Sequence, residues 1–410
     1  MIQRSRMWRL LVGIFLVVSL NLTPTLAQAS SLRLDPISLS FPSPHFGYVL
    51  SLIDCSAKTC AALRSTNDAA STWNVVPTPS QLNKDLRLIS WGNYNTSYVT
   101  LNIHFADAKD GWIYGTVPAR ATPNTSNPNW VSRLWSTHNG GKTWRQVRLG
   151  PLFITSGVIQ MATHGDWTYL FGASDENGQA YVLATLSNLD QWMSKSNAPM
   201  EMPAGGTQVQ GDFNFVGSNG WFLAGNDRSF TASARLSNDG SWSAWNISSI
   251  EDFGESFSPI AAVTSKVLLA ECQSAEIVIP PASSVPPDWN KGASWLFISY
   301  DAGTTFKPFR ELSSSYQRGI SAVPGLPATP VPGTILLQEA TNSGVRVIRS
   351  TNWGRSWRIV LRRSVSQVVF TSRTDGFAIV KQQTSQTASS LFATNDAGGH
   401  WREVSFGVGK

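Results

Sequence analysis

Residues able to do chemistry are thinly spread through this 410-residue chain. Its five histidines, His45, His104, His138, His164 and His400, fall far apart, so a zinc site or a nucleophile–histidine–carboxylate triad would have to be assembled by distant strands. Solvated or core-edge histidines are the simpler reading. Cys55 and Cys60 (CSAKTC) are close enough to close a small disulfide loop in an oxidising compartment, with free thiols as the other reading; Cys272 has no evident partner. No second cysteine pair or histidine cluster follows, so a metal is not expected. Arg355, Arg358, Arg362 and Arg363 alternate through the stretch around SWRIVLRR. They could grip a partner, or simply guard a sheet edge against pairing with other chains.

None of these groups can act without elements that bring them together, and the first element is a leader. Arg4, Arg6 and Arg9 precede an apolar run from Leu10 to Leu20, and Ala27-Gln28-Ala29 supplies a small-x-small cleavage pattern. That order predicts a secretory signal over 1–29, cleaved after Ala29, and a secreted or extracytoplasmic protein. An apolar run of 11 residues is short of the roughly 20 that a spanning helix needs, so no stable membrane insertion is expected after cleavage. Without the three leader arginines, 29 basic residues face 26 acidic ones. A net charge of +3 with no dense Lys/Arg block speaks against nucleic acid.

The remaining 381 residues exceed what one hydrophobic core usually supports, so the chain must split or repeat. Short Val/Ile/Phe/Thr/Trp runs bounded by Gly, Asn, Asp and Ser recur throughout, which is the profile of an all-β chain. The pattern Ser/Thr-x-Asp/Asn-x-Gly-x-Ser/Thr-aromatic fits 137–144 (THNGGKTW), 299–306 (SYDAGTTF) and 350–357 (STNWGRSW); 394–401 (TNDAGGHW) misses at one position. Weaker copies lie at 66–73 (TNDAASTW), 237–245 (SNDGSWSAW) and 185–192 (TLSNLDQW), the last much eroded. Closing aromatics at Trp73, Trp144, Trp192, Trp245, Phe306, Trp357 and Trp401 are 71, 48, 53, 61, 51 and 44 residues apart. A period near 50 is that of a propeller blade.

Upstream of most copies sits a Gly-aromatic step, at Gly47-Tyr48, Gly111-Trp112, Gly220-Trp221 and Gly376-Phe377, with Asp166-Trp167 as a variant. Each unit therefore holds a hydrophobic hairpin followed by an outer hairpin with the polar turn. The third position of each turn, Asp68, Asn139, Asp239, Asp301, Asn352 or Asp396, is expected to bond backbone amides two residues ahead. Gly141, Gly303, Gly354 and Gly398 are expected to take the positive φ of a tight hairpin. The fold expected is a seven-bladed β-propeller of four-stranded antiparallel blades, roughly 36–80, 86–150, 152–204, 206–256, 258–313, 318–364 and 365–410, closed by pairing strands from both ends.

The octads resemble the Asp-box, or BNR, repeats of sialidase-like propellers, and the whole unit is similar to the photosystem II assembly and stability factor family of seven-bladed propellers. The resemblance covers residues 36 to 406. It implies that the polar turns are structural and lie away from the ligand face. Sialidase chemistry would require three arginines around a carboxylate, a Tyr-Glu pair and an Asp acid/base, with the first arginine in an Arg-Ile-Pro motif. The first blade, LSFPSPHFGYVLSLID, has no arginine, and Tyr316 and Arg318 have only Glu311 as a nearby carboxylate. No catalytic residue, cofactor or metal ligand is therefore assigned.

Three stretches break the unit: 117–131, 273–292 and 320–333, whose Pro, Ser and Asn content predicts extended surface loops. Binding groups on rigid β scaffolds tend to sit on such loops, which nominates Trp130 and Trp289, with Arg318 and Arg358 as further candidates. The function expected is a monomeric, non-enzymatic module that binds a protein or glycan through one face of the ring. The alternative is a divergent glycoside hydrolase with its site at the axial mouth.

Overall fold

A strand covered on both faces can be apolar along its whole length, and the second strand of each repeat is of that kind. Asp110–Pro118 (DGWIYGTVP) is buried throughout, and Gly47–Asp54 (GYVLSLID) is buried over its first six residues. The computed structural model describes residues 34–91, 99–118, 130–150, 153–154, 160–174, 179–195, 200–201, 210–225, 230–237, 240–245, 256–273, 294–313, 323, 326, 328–341, 344–381 and 389–406. The leader, Trp289, Arg318, Tyr316 and Asp239 lie outside them.

Seven antiparallel sheets, each drawn from one contiguous segment, follow one another along the chain in a ring to form a seven-bladed β-propeller. Five sheets have four strands. Blade three adds the two-residue pieces Phe153–Ile154 and Met200–Glu201. In blade six, three strands pair in the order Ile335–Thr341, Gly344–Ser350 and Arg358–Leu361. Its innermost position is held by a single bridge, Ala328 to Leu336, with N–H to O distances of 3.1 and 2.9 Å. The described part of 320–333 is not the surface loop expected: Val323, Leu326 and Ala328 are buried in the core, while Pro330 and Pro332 offer no donors to a longer ladder.

First strands sit side by side around the axis and are joined by side chains. Ser38 and Ser40 of blade one accept from the backbone N–H of Ile103 (3.1 Å) and Phe105 (2.8 Å) of blade two. Among the described residues no strand crosses between the chain ends, so closure differs from the expected shared sheet. The amide of Gln367 in blade seven donates to Leu39 O (3.0 Å) and accepts from Leu39 N–H (2.9 Å). Phe41 stacks on Phe377 at 3.7 Å within an apolar cluster shared by the first and last blades. A helix that the sequence reading missed, Ser80–Leu86, packs Leu82 and Leu86 into the cluster of blades one and two. None of the described helices is long and apolar enough to cross a membrane.

Candidate functional site: the open corner between blades two and three

Five polar turns share one hydrogen-bond scheme. The hydroxyl at the first position accepts from the N–H at the fifth: Thr66 from Ala70 (3.0 Å), Thr137 from Gly141 (2.9 Å), Ser299 from Gly303 (2.8 Å), Ser350 from Gly354 (2.8 Å) and Thr394 from Gly398 (3.0 Å). The side chain at the third position accepts from the N–H four residues ahead, not two as expected. Thr72 N–H reaches Asp68 at 2.8 Å, and Thr143, Thr305, Ser356 and His400 reach Asn139, Asp301, Asn352 and Asp396 at 2.9 Å. These donors hold the acids charged. Side-chain and backbone bonds from Thr72 lower Asp68 to about 2; in Asp301 and Asp396 burial pushes the pKa upward, but bonds from Thr305 and His400 outweigh it and lower both.

The fifth position is glycine in four of the five turns, Ala70 (φ +66°) being the exception, and Gly303 shows two reasons why. Gly303 has a φ of +87°, and a Cβ there would lie 2.2 Å from the Trp245 ring of the preceding blade.

A second feature recurs in blades one, two, four and seven. The glycine of the Gly-aromatic step rests on a phenylalanine at the end of the first strand, so that a Cβ on Gly47, Gly111, Gly220 or Gly376 would come within 2.1, 2.4, 2.8 or 2.8 Å of Phe41, Phe105, Phe215 or Phe370. The same phenylalanine meets the closing tryptophan edge-on: Phe41 with Trp73, Phe105 with Trp144 and Phe370 with Trp401, at 6.5, 6.3 and 6.3 Å. In blade four that partner is Trp242, 6.0 Å from Phe215. The closing aromatic is therefore not Trp245. The turn there is shorter than the octad implied, with Ser237 N–H on Ser241 O, and Trp245 lies past the outer strand with its indole N–H on Gly303 O at 3.0 Å.

Blade three breaks both rules. Register puts Thr163 opposite Thr168, where Phe105 faces Gly111 and Phe370 faces Gly376. A hydroxyl chain replaces the ring: His104 Nε2 to Thr163 Oγ1 (2.7 Å), Thr163 to Thr168 (2.9 Å), Thr168 to Ser187 (2.9 Å), and Ser187 Oγ donating to Asp166 O (3.1 Å). Burial lowers the His104 pKa to about 4, so the imidazole is neutral at physiological pH. In the turn 185–192 the first hydroxyl donates instead of accepting: Thr185 Oγ1 bonds Leu189 O at 3.0 Å.

Asp190, at the sixth position, reaches under blade two. Its carboxylate accepts from Ser136 Oγ (2.7 Å), Trp112 Nε1 (3.4 Å), His138 Nε2 (3.2 Å) and Arg145. Burial pushes its pKa upward, but Ser136, Arg145 and His138 outweigh that and keep it ionised. His138 Nδ1 pairs in turn with Asp110 at 2.7 Å; Asp110 is raised, chiefly by burial. In blade four the equivalent indole, Trp221 Nε1, donates to Ala302 O of the next turn at 3.1 Å. Asp190 thus stands in for a turn carbonyl that the eroded octad no longer presents.

The missing ring leaves a cleft of about 500 Å³ whose walls include Asp107, Asp110, Thr163, Asp166, Leu186 and Ser187. Asp107 Oδ1 accepts from the N–H groups of Lys109 (2.6 Å) and Asp110 (2.8 Å). Among the described residues no cationic side chain pairs with Asp107 or Asp166. Leu186, Leu189 and Met193, from the eroded turn and the strand after it, are 37, 38 and 46% exposed. No group of three or more metal-ligating side chains is found among the described residues.

The sequence reading nominated none of these groups for a site: His104 and His138 appeared only as scattered histidines, and Trp112 and Asp166 only as parts of the Gly-aromatic step and its variant. The erosion of 185–192 was the signal, since a turn that abandons its pattern frees its side chains. The nominated loop residues fare differently. Trp130 is half-buried against the blade one and two cluster, and Arg358 lies against Gly399 of the next turn, where a Cβ would come within 2.7 Å of its guanidinium. Its neighbour Arg349 donates to Ala397 O (2.9 Å) and Asp396 O (3.3 Å). A disulfide joins Cys55 to Cys60. Near the axis, Asp212 accepts from Gln160 Nε2 at 3.3 Å, and burial, only partly offset by the bonds from Phe213 N–H and Gln160, raises it to about 7.

No protein-family model matches the chain, and no curated protein is significantly similar to it in sequence. Among solved structures it is similar to YCF48 bound to a D1 peptide, with a TM-score of 0.51, 15% identity, and 89% of this chain and 92% of that chain covered. It is also similar to an ulvan lyase of polysaccharide lyase family PL25 (TM-score 0.51, 11% identity, 90% and 96% covered). A prolyl endopeptidase gives 0.52 at 12% identity, matching 90% of this chain but 50% of the longer enzyme. At such identities the likeness establishes the β-propeller fold and leaves activity to be argued from the site.

Proposed function

We propose that this propeller is a secreted, monomeric, non-enzymatic binding protein that takes a segment of another protein into the corner between blades two and three. The observation that carries the reading is the replacement of the Phe–Gly pair by two threonines, which opens a cleft at a corner that blades one, two, four and seven fill. The cleft's volume lies in the range of ligand-binding clefts, and its walls are more polar than those of most such clefts, which suits a charged guest. That a propeller of similar fold was solved with a peptide bound is consistent with a polypeptide ligand. Secretion is supported by the leader pattern and by the Cys55–Cys60 disulfide, a bond that persists in oxidising compartments. The shared hydrogen bonds of the five turns support reading them as Asp-box turns with a structural role.

The hydrolase alternative needs two carboxyl groups facing each other across a substrate, one of them held protonated. Asp212 is raised in that manner, but the partner it has is the Gln160 amide. The test of the binding reading is to rebuild the corner. Thr163→Phe with Thr168→Gly restores the pair found in blades one, two, four and seven. Heptapeptides selected on the native protein from a phage-displayed library are expected to lose binding to the rebuilt variant; retention of affinity would overturn the assignment.

A further inference from the structure

Resting on that reading, we infer that the cleft between blades two and three selects an arginine or lysine side chain in an extended stretch of a partner protein. Charge complementarity carries the argument. The walls offer the carboxylates of Asp107 and Asp166, the hydroxyls of Thr163 and Ser187, and no cation. Asp110, the third acid, is engaged by His138, and Asp190 by Arg145 and His138, so the two outer carboxylates are the ones left for a guest.

Chemistry narrows the guest further. A bare divalent ion is disfavoured, since no set of three or more ligating side chains converges among the described residues. A neutral sugar would leave both carboxylates uncompensated. A cation on an apolar stem satisfies both parts of the site: its stem covers Leu186, an exposed apolar side chain of the wall, while its head reaches the acids. Arginine fits better than lysine because its fork can serve a carboxylate and a hydroxyl together.

The test uses the full mature chain and synthetic, fluorescein-labelled heptapeptides from the selection above, read by fluorescence anisotropy. Replacing the basic residue by citrulline, which keeps shape and removes charge, is expected to weaken binding about tenfold or more. Asp107→Asn with Asp166→Asn should give a similar loss, since asparagine keeps the acceptor that caps the turn and deletes the charge. Raising salt from 50 to 300 mM should weaken the native protein and leave this double variant nearly unchanged. Leu186→Ser should weaken binding several-fold with the citrulline effect intact. If the peptides lose affinity for the rebuilt corner yet tolerate citrulline, the cation preference is wrong while the cleft stands. Should binding persist on the rebuilt corner, or the selection yield no binder, both fail.

Discussion

Blades seven and three carry the same parts in opposite states. In blade seven, Phe370 lies under Gly376 and against Trp401, and the turn above it keeps all its hydrogen bonds. In blade three, Thr163 and Thr168 replace the ring and the glycine, Leu189 stands at the glycine position, and Asp190 bonds to the neighbouring blade. The difference shows which part of the repeat makes the ring and which part is free to vary. A corner closed by aromatic packing gives stability and no access; one closed by hydroxyls gives access and must find other partners for its polar groups.

The largest effect should come from emptying a closed corner. Phe105→Ala removes a buried ring that stacks on Tyr48 at 3.5 Å and meets Trp144 edge-on, and is expected to cost about 4 kcal/mol. Thr163→Ala at the matching site of blade three removes only hydroxyl bonds and should cost about 1 kcal/mol. Urea denaturation of both variants checks the pair. Equal losses would mean that the open corner is as structural as the closed ones.

A smaller contrast lies in the glycines. Gly303→Ala adds a methyl 2.2 Å from Trp245 at a φ of +87°, so overpacking and strain together should cost about 3 kcal/mol. Gly165→Ala, at the rim of the cleft with a φ of +58° and nothing within 4 Å, should cost about 1 kcal/mol from conformation alone. If thermal unfolding ranks them the other way, the close fit of turn to preceding blade is not what fixes the register.

Asp190→Ala comes next. It leaves Trp112 Nε1, Ser136 and Arg145 without their acceptor, and about 2 kcal/mol of destabilisation is expected, with the apparent affinity of the cleft reduced because its floor shifts. An unchanged melting temperature would show that Asp190 does not substitute for the lost turn.

What was readable in the sequence divides along the same line. The octads announced themselves because their hydrogen bonds run between residues at most four apart, so the pattern must be written locally. The phenylalanine beneath each of the four glycines is equally local, five or six residues upstream, but ends a strand of ordinary apolar residues and so carries no mark of its own. Trp242 was passed over for Trp245 because blade four shortens its turn while keeping a tryptophan at both places. The prolines of 320–333 read as a loop, although Val323, Leu326 and Ala328 are buried and Ala328 bridges Leu336. The cleft was not legible at all: Asp107, Asp166 and Ser187 belong to different hairpins, and only the ring brings them to one corner. Erosion of 185–192 marked the right blade without saying what it held.

The last contrast lies at the axis, where the two joints use glutamine differently. Gln367 makes two backbone bonds to Leu39, a neutral joint that pH cannot disturb. Gln160 meets a carboxyl instead, and burial raises Asp212 to about 7. A folded-state pKa above the unfolded value means that the native protein holds the proton more tightly. The contribution of Asp212 to stability is therefore greatest below the ordinary carboxylate range, near pH 4, and is lost as pH rises to about 7, by at most about 1.4 kcal/mol per pH unit. Asp212→Asn removes this titration and should be more stable than the native chain at pH 7.5 but not at pH 4. The two proteins differ at this one side chain, so the difference between their denaturation midpoints isolates Asp212. A difference that stays flat from pH 4 to 7.5 would mean that Asp212 is hydrated and ionised at the axis, and that the joint between blades three and four is as insensitive to pH as the one that closes the ring.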